Sequence, residues 1–175
     1  MRFGLAFLAG ATGGAVMTAA MFLARTVDMT EMNMAMGLGA IFTGEVSSTT
    51  WWLGFVMHLV ISGLIALIYA AVFEAIHRST WWLGLIGGAI HAAIGGFFML
   101  LMPTLNPLIP ETIPAPGAFA INYGTVTAAA FVMLHLVYGA IVGGIYKPVH
   151  TRAHRQMEPI PEEHTAGVGG EHHPH

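Results

Sequence analysis

The chain has 175 residues, room for one ordinary domain, and is 55% hydrophobic but only 9% charged, where soluble globular proteins carry roughly 25%. So few charges cannot coat a water-soluble surface, which excludes an ordinary cytosolic enzyme and an intrinsically disordered chain. Six basic residues against nine acidic ones exclude an electrostatic nucleic-acid binder, and the absence of cysteine excludes disulfides, thiolate metal sites and a cysteine nucleophile.

Four long apolar runs predict an all-α, polytopic membrane four-helix bundle. A membrane span needs about 20 mostly apolar residues to cross a hydrocarbon core roughly 30 Å thick. Residues 3–24, 51–76, 81–102 and 121–146 meet that need. They lack the period-2 alternation of barrel strands, so backbone hydrogen bonding in lipid makes them helices. Arg2 ahead of the first run resembles the start of a signal peptide. The run is long for one, however, lacks a clear cleavage site, and matches the third run.

Between the first two spans, Thr26–Thr50 reads as an outer loop. Its Met29, Met32, Met34 and Met36 form a cluster of thioethers that can capture Cu(I), or pack as an interfacial helical turn on the bundle top. Asp28 and Glu31 are expected to cap that turn. Ser48, Thr49 and Thr50 are expected to cap the second span, and Ser79 and Thr80 the third. Glu74 and Arg78, spaced i and i+4, read as a surface pair. The second outer loop holds Pro103, Pro107, Pro110, Pro114 and Pro116 and reads as a stiff, non-helical cap. Residues 1–147 thus form the membrane domain, and 148–175 a disordered cytoplasmic tail with His, Pro and Glu. That tail holds six of the ten histidines and offers weak divalent-metal binding at most.

Arg2, Arg78, Lys147, Arg152 and Arg155 fall at the two termini and in the link between spans two and three, while Arg25 alone falls on the other side. The positive-inside rule then places both termini in the cytoplasm. Trp51–Trp52 and Trp81–Trp82 mark opposite interfaces.

The halves look duplicated. His58-Leu59-Val60 precedes Tyr69 as His135-Leu136-Val137 precedes Tyr146, with eleven residues from histidine to tyrosine in both. Gly13-Gly14-Ala15-Val16 matches Gly87-Gly88-Ala89-Ile90, and Gly39-Ala40-Ile41-Phe42 resembles Gly117-Ala118-Phe119. A tandem two-span hairpin would give parallel repeats, with His58 and His135 as symmetry mates and Met17 in the place of His91. Gly84, Gly88, Ala92 and Gly96 share a stripe of the third span, Gly10 and Gly14 one of the first, and Gly139 and Gly143 one of the fourth. Such small residues let helix backbones approach closely in lipid.

His58, His91 and His135 are the strongly polar, titratable side chains deep in the spans. A polar group facing lipid costs several kcal/mol, so all three are expected to point inward. Neutral imidazoles on facing helices suit a transition metal (Cu or Zn), a b-type haem, or a proton relay. Met17, Met57 and Met133 would add thioethers favouring Cu(I). The plainer reading has each histidine hydrogen-bonded across the bundle. The functional expectation is a protein that binds or conducts a small ligand at this cluster. The alternative is a non-catalytic accessory subunit of a larger membrane complex. An enzyme is not expected, because no nucleophile, carboxylate pair or phosphate loop accompanies the histidines. The bilayer is the expected partner, with a homodimer or other membrane subunits beside it and no nucleic acid.

The run from His135 through Gly139, Gly143 and Gly144 to Tyr146, with its weaker copy from His58 to Tyr69, resembles the small four-span prokaryotic membrane proteins described as domains of unknown function. The resemblance covers about residues 5–147. It implies a prokaryotic inner membrane setting and transfers no catalytic residues. In the earlier copy Ile61 stands for Tyr138 and Ser62 for Gly139, so a role needing tyrosine in both halves does not carry over.

Overall fold

A computed structural model describes residues 1–149. The expected tail lies, from residue 150 on, outside the described residues. Six α-helices follow in chain order: α1 (Phe3–Thr26), α2 (Met34–Thr43), α3 (Ser48–Ala75), α4 (Trp81–Phe98), α5 (Met102–Leu105) and α6 (Thr125–Ile145). No strand occurs among the described residues. Four helical stretches, Phe3–Thr26, Ser48–Ala75, Trp81–Leu105 and Thr125–Ile145, are long and apolar enough to cross a membrane. At 1.5 Å per residue the shortest, α6, still reaches about 31 Å. Trp52, Trp81 and Trp82 are exposed near helix starts, where aromatic side chains meet an interface.

Several boundaries depart from the sequence reading for local reasons. The second span is capped by Ser47, whose Oγ accepts from Thr50 N–H, and not by Ser48, Thr49 or Thr50; Glu45 in turn accepts from the Ser47 hydroxyl. Thr80 caps α4 as expected, while the Ser79 hydroxyl reaches across to the Gly143 carbonyl at 2.6 Å. The third span continues past Phe98 through a 3-10 turn into α5. Pro103 sits there in the first turn, where a missing N–H breaks no helical bond. The fourth span starts at Thr125, four residues later than expected. Phe119, Ala120 and Gly124 all adopt positive φ, which an α-helix cannot include.

The loop between the first two spans holds a helix. Asn33 caps α2 by accepting from Met36 N–H, so neither Asp28 nor Glu31 fills that role; Asp28 itself adopts a left-handed φ of 55°. Gly39 of α2 meets the Thr50 carbonyl of α3, and Gly54 of α3 meets the Ala35 carbonyl of α2. Either glycine given a Cβ would drive it into backbone, so glycine is what lets α2 lie on α3. The Asn106 side chain donates to the Gly37 carbonyl and ties α2 to the chain after α5.

The spans stand in an arc, α3–α1–α6–α4, not a closed ring. α1 packs on α3 and on α6, and α6 packs on α4, whereas the consecutive helices α3 and α4 stand apart. Gly10 and Gly14 sit against Ser62, Ala66 and the His58 carbonyl; Gly84 and Gly88 sit against Gly139, Leu136 and the His135 carbonyl. Gly143 meets the Thr80 carbonyl, and Gly96 meets the Phe119 ring. Ala92 is buried on the same stripe. Across the middle, Tyr138 of α6 is fully buried, passes over Gly13 and donates to the Ser62 carbonyl at 2.5 Å.

One end of the arc gathers both ends of the described chain. The Tyr146 hydroxyl donates to Glu74 at 2.6 Å, the Met1 ammonium lies 3.7 Å from the same carboxylate, and Arg2 N–H donates to Tyr146. Glu74 therefore reaches inward, away from the surface role expected of it. Burial, and next the bond to Glu74, hold the Tyr146 phenol above its usual range. The Gly39–Phe42 and Gly117–Phe119 segments, alike in sequence, differ in structure: the first is α-helical and the second is a tight turn with positive φ.

Candidate functional site

α3 carries His58 and α6 carries His135, and both line one small chamber together with Met17 and Thr18 of α1. Each histidine is the eleventh residue of its helix, counted from the N-terminus. His135 is buried and His58 half-buried. His135 Nδ1 lies 2.7 Å from the Phe131 carbonyl, which only accepts, so Nδ1 carries the proton. His58 Nδ1 lies 2.8 Å from the Thr18 hydroxyl. That hydroxyl donates its own proton to the Gly14 carbonyl at 3.0 Å, so it accepts from His58 Nδ1–H. Both imidazoles are thereby set as the Nδ1–H tautomer, with a free lone pair on Nε2. A metal-binding histidine usually has its other ring N–H held by an acceptor in this way, which fixes the orientation of the ring. Gly95 leaves space in front of His135, since a Cβ there would stand 3.5 Å from Nε2.

Two cavities meet at these histidines. A small chamber of about 50 Å³ lies under α2, lined by Met17, Thr18, Met21, Met32, Met34, His58, Phe131, Leu134 and His135. A cleft of about 670 Å³ runs between α3 and α4, with Met17, Phe131 and His135 at its back. The donor-bearing side chains shared by both cavities are His58, His135, Met17 and Met34. This junction offers two imidazole nitrogens and two thioether sulfurs.

His91 joins from α4. Its ring centroid is 4.7 Å from that of His135, edge to face, and it lines the cleft but not the chamber. Among the described residues no three His, Cys, Asp or Glu side chains form an ion-sized set. The His91 and His135 ring centres stand closer together than axial ligation of one haem by both would place them. Iron–nitrogen bonds near 2 Å on opposite faces put ring centres roughly 6 Å apart.

The thioethers sort differently from expectation. Met17 faces the junction, but Met133 is 58% exposed and faces outward, and Met57 lines neither cavity. The turn of the helix explains Met133: two positions before His135, it points about 200° away from it. The outer-loop cluster divides as well. Met32 and Met34 dip into the chamber, Met36 is half-buried on α2, and Met29 is exposed. Met21 and Thr18 were not singled out as ligands or supports. Their signal was the stripe Gly10, Gly14, Thr18, which α1 turns toward α3.

No family model, no curated protein and no solved structure matches this chain.

Proposed function

We propose that this chain is an integral inner-membrane protein that binds Cu(I) at the junction of His58, His135, Met17 and Met34. The observation that carries the reading is the shared lining of the two cavities by two imidazoles and two thioethers. Thioethers and imidazoles are soft or borderline ligands that bind without losing a proton, and a neutral set can take a monovalent ion without burying several charges. The chamber admits an ion and excludes a macrocycle. The Nδ1–H bonds to Thr18 and Phe131 fix both rings in the tautomer that leaves Nε2 for the metal. Met32 and Met21 at the outer side of the chamber supply thioethers along the approach from the outer loops.

The same proposal places the termini in the cytoplasm, by the distribution of arginine and lysine, and α2 outside. It treats α1–α3 and α4–α6 as copies of one hairpin. The support is that Gly14 meets the His58 carbonyl and Gly88 the His135 carbonyl. In that pairing Met17 and His91 occupy corresponding places, so only one half has a methionine at the junction.

The test is Cu(I) titration of detergent-purified chain against a competing chromophoric chelator. The expected result is one Cu(I) retained per chain, at least a tenfold loss of affinity in His58→Ala and in His135→Ala, and little change in Met133→Leu. Equal affinity in the wild type and both histidine variants would sink the reading.

A further inference from the structure

The copper junction leaves most of the α3–α4 cleft unused. Its walls are aliphatic and stiff, with Ile61, Ile65 and Ile68 on α3 facing Ile86, Ile90 and Ile94 on α4. Its floor is polar. The Tyr69 hydroxyl and His91 Nδ1 are both buried there without a hydrogen-bond partner among the described residues, and Tyr69 as a whole is only 9% exposed. Buried polar groups in native folds are nearly all hydrogen-bonded, so two orphans side by side call for a partner. The two rings are close, with centroids 6.2 Å apart. Gly87 keeps the α4 wall bare beside Tyr69, where a Cβ would meet the tyrosine ring.

We infer that the cleft binds a neutral, ring-headed membrane amphiphile of the quinol class, tail between the isoleucines and head on Tyr69 and His91. Volume permits it, since 670 Å³ lies within the range of small-molecule sites. Charge selects the head. No Asp, Glu, Lys or Arg lines the cleft, so a phosphate or carboxylate head would be buried uncompensated. Hydrogen bonding selects further. The tyrosine hydroxyl donates to a ring oxygen, and a ring hydroxyl donates to His91 Nδ1 when that nitrogen is unprotonated. A flat head with two oxygens can bond the two groups through separate atoms, whereas an alkyl alcohol must serve both from one hydroxyl. Phe73 stands edge to face with Tyr69, ring centroids 6.2 Å apart, and the cleft opens between α3 and α4, the side from which a lipid-dissolved molecule would arrive. The proposal concerns binding and involves no electron transfer.

The test uses the full chain in detergent, held metal-free by a chelator, and calorimetric titration with a decyl-substituted benzoquinol, with decanol and decanoic acid as comparison probes. The expected result is saturable one-to-one binding of the quinol and at least tenfold weaker binding of the other two. Tyr69→Phe, which removes one oxygen and keeps the ring, should weaken the quinol about tenfold. Ile90→Trp, which fills the cleft at its exposed side, should do so independently. Both variants should keep wild-type Cu(I) affinity, which shows that they fold and separates this site from the copper junction. Absence of saturation by the wild type overturns the inference. So does decanol binding as tightly as the quinol, or quinol binding undiminished in both variants while their Cu(I) affinity is retained.

Discussion

At the scale of single residues, the account rests on two protons. The Thr18 hydroxyl and the Phe131 carbonyl each hold an imidazole Nδ1–H, and so decide which nitrogen is free. Thr18→Val keeps the shape of the side chain and removes the acceptor. Cu(I) affinity should fall about 10- to 100-fold, the usual effect of losing an outer-shell partner, while helix content by circular dichroism stays unchanged. Undiminished affinity would mean that the tautomer of His58 does not matter. The histidines themselves were legible in the sequence, because an imidazole inside an uncharged apolar run has few reasons to be there. Which methionines accompany them was not. Met57 and Met133 are neighbours of histidine along the chain, but adjacent residues of a helix do not share a face. Met34 is remote in sequence and arrives only because α2 folds over the bundle.

At the scale of elements, glycine decides which helices touch. Gly84 of α4 meets the Gly139 carbonyl of α6, so Gly84→Leu has no room and must separate the pair. We expect a loss of more than about 3 kcal/mol in a reversible detergent-unfolding measurement, as for severe overpacking. Gly37→Ala and Gly144→Ala, where a Cβ meets nothing within 4 Å, should lie within about 0.5 kcal/mol of wild type. The glycine stripes were readable from their spacing, but their partners were not. α2 reads in the sequence only as a helical turn because it is short and glycine-containing, and its stability comes from packing on α3 and from two asparagines. Asn33 caps it and Asn106 holds the Gly37 carbonyl. Asn106→Ala should leave the four long helices intact and speed hydrogen exchange of the α2 amides. Unchanged exchange there would show that α2 does not depend on this tether.

At the scale of the whole molecule, the sequence supports four spans and two like-sided termini, and the structure adds the arc. Nothing in hydropathy distinguishes a closed bundle from an open one, because an isoleucine facing a cleft and an isoleucine facing lipid look the same. The α3–α4 gap follows from which small residues find partners: α1 presents Gly10 and Gly14 to α3, α6 presents Gly139 and Gly143 to α4, and α3 and α4 line the gap between them with isoleucines. Sidedness is testable in intact cells, since the chain has no cysteine of its own. A cysteine at Glu111 should react with a membrane-impermeant maleimide, and one at Arg78 should react only after lysis; both positions are exposed. The reverse pattern would invert the proposed topology and put α2 and its methionines inside.

The central claim is that nitrogen and sulfur from α1, α2, α3 and α6 meet at one ion. X-ray absorption at the copper edge of the Cu(I)-loaded, purified chain addresses this most directly. The account predicts a mixed first shell of imidazole nitrogen and thioether sulfur, losing nitrogen in His135→Ala and sulfur in Met17→Leu. A shell of nitrogen alone, or of sulfur alone, would contradict it.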